Sequence, residues 1–509
     1  MVPMTLIDHI HRVKESDGSR VAMIAGDRRW TYEEFHWTVQ HLAVALSSLG
    51  IQYGDRVALQ LGNRPELVFA YYACFQLGAI SVPVNNRFAS PEIEYTINHS
   101  GCRVCICQSD LYANVVPIRS ALTTLEQVFL VDGDASMFPN VRSFNQLLDM
   151  PAHESSFPKV PDAAVAAILY TSGTTSRPKG VTHTHRSLDA TARLHGKHIG
   201  LGADDVVCVV PPMCHILGFA TQMITSLWAG ATIVIIPRSD PETVLRAIES
   251  CKATRIAALP TLYQALINHP GAEQFCLKSL RTGIGGGDAV PLALQEKFLA
   301  TFRVQILEGC GMTEIVPFTL NLPNEFRKGS IGRKCPGATI RLTDENGIDV
   351  PTGFPGEILV RSDAQFVGYW KEPEITAYAL AGGFVHTGDL GRIDEDGFYW
   401  FAGRKKEIII RGGSNISPLE VEEVLYQHPA IRECGVVGVP DDDLGEVVWA
   451  YVAARTPVTP EELQQFVRQK IAPYRVPEVI SFLEELPKGA TGKVHRRSLR
   501  ERAKMERWA

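Results

Sequence analysis

The sequence predicts an α/β protein: a large N-terminal domain of layered α/β sheets with a small β-barrel-like subdomain, then a small α+β C-terminal domain. Three observations predict it. Strand-length apolar runs alternate with helix-length segments through the first two-thirds of the chain, the pattern of mostly parallel sheets with helices between the strands. Near Gly337 the pattern changes to short, closely spaced strands. From about Lys406 a separate unit of helices and strands begins. The 509 residues also exceed what one core ordinarily organises.

In chain order, strands are expected at 56–61, 79–84, 104–107, 128–132, 163–170, 205–210, 232–236, 255–259 and 304–307. Helices are expected between them at 66–77, 242–251 and 291–302. The β subdomain is read from 338–342, 357–361, 390–394 and 398–401, with Asp396-Gly397 as a hairpin turn because glycine accepts positive φ. Pro418 opens a helix to 426, where its fixed φ is tolerated. Strands at 433–439 and 447–454, a helix at 460–471 and a basic terminal helix complete the chain. The expected domains are 1–405 and 406–509.

A net charge of -6 argues against a dedicated nucleic-acid binder, which carries a broad basic surface. The eleven cysteines are odd in number and scattered, which suits a reducing cytoplasm better than a disulfide framework. Cys102, Cys105 and Cys107 sit in or beside an apolar run and are expected to be buried strand residues. The stretch 206–237 lacks Asp, Glu, Lys and Arg, but Pro211, Pro212, His215, Gly218 and Gln222 break it as a membrane span. No signal peptide or peroxisomal address is read at the termini, and no integral membrane association is expected. The sequence leaves the oligomeric state open, a homodimer included.

The strongest local signal is YTSGTTSRPKG at 170–180. A strand runs into a loop in which Gly173 and Gly180 allow close backbone approach to a ligand. Its amides can form an anion nest, Thr171, Ser172, Thr174 and Thr175 add neutral donors, and Lys179 adds a cation. A phosphate site follows, without the spacing of the common P-loop.

This loop resembles the signature of the adenylate-forming superfamily, which includes acyl-CoA synthetases, adenylation domains of peptide synthetases and firefly-type luciferases. PMCHILG at 212–218, GCGMTE at 309–314, TGD at 387–389, GRKKEIIIRGGSNISPLE at 403–420 and GATGK at 489–493 follow in the family's order. The resemblance implies an ATP-dependent carboxylic acid–CoA ligase that forms an acyl-adenylate and then a thioester, with ATP, Mg²⁺ and coenzyme A. A carrier protein loaded in trans, or a non-catalytic nucleotide-binding regulator, remains an alternative. The first half-reaction joins two anions, so the site must supply positive charge and hold the nucleophile in line.

Residue by residue, the resemblance implies that Lys493 bridges carboxylate and α-phosphate, that Glu314 and Thr174 serve the metal, and that Thr313 touches the α-phosphate. It implies that Asp389 accepts the ribose hydroxyls with help from Arg404, and that Gly285, Gly286, Gly287, Glu308, Gly309, Cys310, Gly311 and Met312 border the nucleotide. Cys310 stands where the family usually has an aromatic ring on the adenine, which removes stacking area. The resemblance also implies that Lys406 is the hinge of a mobile C-terminal domain and that Gly412 and Gly413 line the thiol channel. His215 is placed beside the acyl pocket, and Phe219 is expected to gate or line it. No Lys or Arg stands near these motifs in the sequence, which points to an apolar or aromatic monocarboxylic acid. Lys488, Arg496, Arg497 and Arg500 are expected on a solvated helix face.

Overall fold

The computed structural model describes residues 4–150, 157–171, 177–489 and 493–508. Two large sheets dominate the chain up to residue 404. One has nine strands, in the order Arg333–Lys334, Ile315–Leu320, Ile306–Met312, Thr282–Gly285, Arg255–Ala258, Val206–Val209, Thr232–Ile235, Val21–Ala25, Arg28–Thr31. Its centre is parallel, and hairpins make both ends antiparallel. The other has eight strands, in the order Gly368–Tyr369, Lys179–Thr184, Val165–Thr171, Ile80–Pro83, Arg56–Gln60, Val104–Gln108, Gln127–Val131, Val141–Ser143.

The helix Pro65–Leu77 is buried on every face from Leu67 onward. An element that is apolar all round has to lie inside, and its core cluster joins Val57, Leu59 and Ile106 of one large sheet to Val209, Ile233 and Ile235 of the other. The helix Tyr32–Ser48 packs beside it. It starts where it does because Thr31 Oγ1 accepts the Glu34 amide at 3.1 Å while Glu34 accepts the Thr31 amide at 2.8 Å.

The β subdomain is an antiparallel sheet in the order Thr339–Thr343, Gly356–Arg361, Val385–Ile393, Tyr399–Arg404, with Gly397 at φ 83° in the expected turn. From Ile409 onward the strands form a sheet of their own: Ser414–Ile416, Ile409–Arg411, Gly445–Ala454 and Ile431–Asp441, with Val479–Phe482 added parallel to Gly445–Ala454. The helix Pro418–Tyr426 matches its expected bounds, and the terminal basic helix is Arg496–Trp508.

The strands that hydropathy does not reveal are instructive. Lys179–Thr184 is a buried strand made of KGVTHT, whose polar side chains are satisfied inside: His183 lies 2.7 Å from the Thr313 carbonyl and 3.1 Å from Ser187 Oγ. Ile315–Leu320 carries Pro317, which weakens its reading as a strand. The segment 206–237 resolves into two strands flanking a wide π-type turn, Leu217–Ile224, and a short helix, Thr225–Ala229. Among the described residues no helix is long and apolar enough to cross a membrane. Cys102, Cys105 and Cys107 are buried as expected.

His195, on the helix His185–His198, is 3% exposed, and neither ring nitrogen has a hydrogen-bond partner. Burial, followed by His198 and Arg255, pulls it down to about 3 from the usual 6.5. The unfolded chain therefore binds a proton here below pH 6.5 that the folded chain refuses until about pH 3, so stability is lost as pH falls through that window. His195→Leu should remove this dependence. Its stability advantage over the parent, measured by urea unfolding, should widen by about 2 kcal/mol between pH 7 and pH 5. An unchanged gap would show that the ring titrates alike in both states.

Candidate active site

Strands Val385–Ile393 and Tyr399–Arg404 pair in a register that sets Asp389 opposite Arg404. Arg404 Nε donates to Asp389 Oδ1 at 3.1 Å. Gly388, at φ 69°, makes the bulge within Val385–Ile393 that aims the aspartate, and the Asp389 amide donates to Thr387 Oγ1 at 3.0 Å. Burial pushes the Asp389 carboxyl up, opposed by Arg404 and Lys493.

Lys493 reaches the same place from the C-terminal unit. Its carbonyl accepts the Gly489 amide at 2.8 Å, which closes the base of its loop. The chain passes so near Gly287 that a Cβ there would lie 3.8 Å from Lys493 Cε. Burial lowers the ammonium's pKa, as does Arg404, while Asp288 and Asp389 raise it. A cavity of about 420 Å³ gathers Gly287, Cys310, Asp389, Arg404, Lys406 and Lys493. Burial also lowers Lys406 and raises the half-buried Cys310 thiol. With Arg496, Arg497 and Arg500 also in its lining, six cations around one cavity fit a polyanion, and the carboxylate of Asp389 fits hydroxyl donors.

Glu314 sits in the tight turn between Ile306–Met312 and Ile315–Leu320. The adjacent Thr313 carbonyl can only accept, so His183 Nε2 is the donor and Nδ1 is left to accept from Ser187. Burial brings His183 down to about 4, which keeps it neutral. Glu314 is 7% exposed, and its Oε1 accepts from the Tyr369 hydroxyl at 2.7 Å. Burial raises its pKa, opposed by Tyr369 and Lys179. The Lys179 ammonium lies 5.0 Å from the Tyr369 ring centre. Tyr369 and His183 carry no motif signal. They arrive through the pairing of Gly368–Tyr369 with Lys179–Thr184 and through the burial of that strand.

Thr171 and Lys179 face each other across the mouth of the 170–180 loop. Ser172, Gly173, Thr174 and Thr175 lie outside the described residues, and with them the metal role expected of Thr174. At Gly286 a Cβ would meet only the Gly309 carbonyl oxygen, at 4.0 Å, whereas Gly287, at φ 87°, would set one 2.8 Å from Leu259, and Gly285, Gly309 and Gly311 are demanded by packing: a Cβ would stand 2.6 Å from Val290, Leu320 and Val316 respectively. Met312 packs partly buried against the β-subdomain core.

Several expectations are corrected. Glu308 lines the same cavity as Lys493 but its carboxylate is engaged within the protein: Oε1 accepts the Val290 amide at 3.0 Å and Oε2 accepts Gln295 Nε2 at 3.2 Å, and burial lifts it to about 8. It braces the loop after Gly287. Gly412 and Gly413 sit at φ 53° and 77° in the exposed two-residue turn between Ile409–Arg411 and Ser414–Ile416, a hairpin that calls for glycine there. Arg496 is not on a solvated face but lies between Glu422 at 2.6 Å and Glu407 at 3.8 Å. Lys488 pairs with Glu433 at 2.5 Å. Phe219 has no exposed surface and packs on Tyr71 at 4.7 Å between ring centres, so it belongs to the core.

His215 lies 3.4 Å from Asn85 Nδ2. Burial, then the charges of Lys493 and Arg87, brings it to about 4. Arg87 thus stands near this motif in space, although no cation does in sequence, because it lies in the turn that follows Ile80–Pro83 of the other large sheet.

The family model described as AMP-binding enzyme matches residues 10–370, and that of its C-terminal domain matches 420–493. The chain belongs to the AMP-binding enzyme family. It is 33% identical to a long-chain-fatty-acid–CoA ligase of Bacillus subtilis (strain 168), over 93% of this chain and 90% of that one. It is also 33% identical to a 3-hydroxybenzoate–CoA/4-hydroxybenzoate–CoA ligase of Thauera aromatica, over 95% and 94%. The crystal structure of the anthranilate CoA ligase AuaEII with anthranoyl-AMP superposes with a TM-score of 0.94 at 30% identity, over 100% of this chain and 99% of that one.

This AMP-binding enzyme also suits the family's Mg²⁺. Among the described residues no group of three or more metal-ligating side chains forms a cage. Magnesium asks for little more than one or two carboxylates beside substrate phosphates and water, and Glu314 has one oxygen beyond the one Tyr369 engages.

Two substitutions test the placements. Phe219→Ala should cost about 3–5 kcal/mol of stability through the cavity it leaves, with acid preference unchanged; a shifted chain-length profile in a fully stable variant would return Phe219 to the pocket wall. Tyr369→Phe removes a donor to a buried carboxylate, and adenylate formation at low Mg²⁺ should fall about 10-fold or more. Unaltered Mg²⁺ dependence would separate this hydroxyl from the metal.

Proposed function

We propose that the acid activated here is an apolar monocarboxylic acid, aromatic or fatty. The chain is an ATP-dependent acid–CoA ligase of the AMP-forming kind, an acyl-CoA synthetase that uses ATP and coenzyme A. The acids named for three relatives, long-chain fatty, hydroxybenzoic and anthranilic, support the substrate class. The observation that carries the site assignment is the convergence of Lys493 with Asp389 and Arg404 on one cavity, from segments about a hundred residues apart.

In this reading the desolvated Lys493 ammonium lies between the acid's carboxylate and the α-phosphate, lowering their repulsion and stabilising the charge that develops as they join. Asp389 holds the ribose hydroxyls and Arg404 fixes its orientation. Glu314 holds Mg²⁺, which when bound offsets phosphate charge, and Tyr369 keeps that carboxylate aligned. Thr313 and the 170–180 loop face the phosphates. Neutral His215, kept in place by Asn85, stands at the acyl side, and Cys310 offers the adenine a smaller face than a ring would.

The second half-reaction requires Lys493 to withdraw. The domain division at 405/406 with Lys406 as hinge provides for this, since Lys406 lies in the short link between the β subdomain and the C-terminal sheet. Eleven free cysteines favour a reducing, cytoplasmic setting.

Lys493→Ala should reduce acid-dependent pyrophosphate release by on the order of 10²-fold or more, while thioester formation from supplied acyl-adenylate and CoA persists. Equal losses in both half-reactions would remove Lys493 from adenylation. Pyrophosphate release without thioester formation in the parent enzyme, with CoA present, would point to a different acceptor.

A further inference from the structure

The chain's two bodies, up to Arg404 and from Ile409, meet around a cavity of about 840 Å³ lined in part by Pro291, Glu423, Lys493 and Arg496. Such an interface is not a continuous apolar seal, so its geometry depends on few contacts. Among the described residues, and outside the link itself, one hydrogen bond joins the bodies: the Leu292 amide donates to Glu423 Oε1 at 3.2 Å.

Its placement is specific. Leu292 is the first residue of the helix Leu292–Phe302, and Pro291, which precedes it, gives that helix no side-chain cap. The first-turn amides of a helix lack intrahelical acceptors and carry the positive end of its dipole, so a carboxylate there is stabilised twice. Glu423 supplies the missing cap from the other body. Burial raises its pKa and the Leu292 amide opposes the rise.

The tie is connected at both ends to the reaction site. Leu292 closes the segment that begins at Gly287, against which Lys493 packs. On the other side Glu422, next to Glu423 on Pro418–Tyr426, turns inward, accepts the Val436 amide at 2.7 Å and pairs with Arg496, three residues beyond Lys493. One helix thus presents one carboxylate to the large body and another to the base of the lysine loop.

We infer that Glu423 is a positioning residue for the first half-reaction: seated on the uncapped N-terminus of the helix Leu292–Phe302, it holds the C-terminal body in the orientation that brings Lys493 to the nucleotide cavity. The inference rests on the assignment of Lys493 to adenylation. Removing either partner favours other orientations, which slows adenylation and spares the thioester step.

Single-turnover rates of both half-reactions decide it, in Glu423→Ala, Glu423→Gln, Leu292→Pro and the Glu423→Ala/Leu292→Pro pair. Proline is tolerated at a first helical position and deletes the donor there, and Leu292→Ala, which keeps the amide and should adenylate at the parent rate, controls for the lost side chain. Adenylation should fall about tenfold in Glu423→Ala and in Leu292→Pro, the scale of one hydrogen bond to a charged group, and less in Glu423→Gln. Thioester formation from supplied acyl-adenylate should hold or rise, melting temperatures should stay together, and the pair should be no slower than either single variant. Unchanged adenylation, equal loss in both half-reactions, or multiplied losses in the pair would overturn the role of Glu423. Lys493→Ala with intact adenylation would instead remove the assignment beneath it.

Discussion

Positive charge gathered beside more positive charge, partly withdrawn from water, is the constraint on which this structure turns. Lys493, Arg404 and Lys406 border one cavity, and desolvation weighs on each of them. Such a cluster is tolerable only with compensating carboxylates at hand, and Asp389 and Asp288 supply them. The balance leaves the cavity receptive to a polyanion, and strongly so, because the surrounding protein screens charge less than water does.

The fold satisfies that constraint by assembling the site from ends and edges. The carboxyl ends of parallel strands in the nine-stranded sheet lead into the loop after Gly285 and the turn at Glu314, the usual place for a ligand in such sheets. An antiparallel register in the β subdomain adds the Asp389–Arg404 pair. Lys493 comes from a third unit, which docks through sparse polar contact rather than a sealed interface. In the proposed role for Lys493, a catalytic group carried on such a body suits a reaction in two steps, since it can leave once its charge is no longer needed.

The motif residues were legible because their chemistry and spacing are local: Asp389 and Arg404, Glu314 and Lys493 stand within the segments that mark the family. Their supports were not. Tyr369 engages Glu314 through a strand added at the edge of the eight-stranded sheet, His183 anchors the Thr313 carbonyl from a strand too polar to be read as one, and Arg87 comes to His215 from a turn of the other large sheet. Local reading also misjudged burial. Phe219 follows a ligand motif but turns into the core, and Arg496 sits in a basic helix but is enclosed by two glutamates.

By itself the sequence determined the α/β class, the order of the elements, the helix at Pro418, the turn at Asp396-Gly397 and the residue types of the family's motifs. Periodicity, turn chemistry and motif spacing act over a few residues, and so can be read from a string. Only the tertiary structure decided which groups meet: that Glu308 braces a loop, that Gly412 and Gly413 serve a hairpin, that Tyr369 aligns Glu314, and that Glu423 caps a helix in the other body. Those outcomes depend on strand register and on the docking of separately folded units, which bring together residues with no fixed separation along the chain.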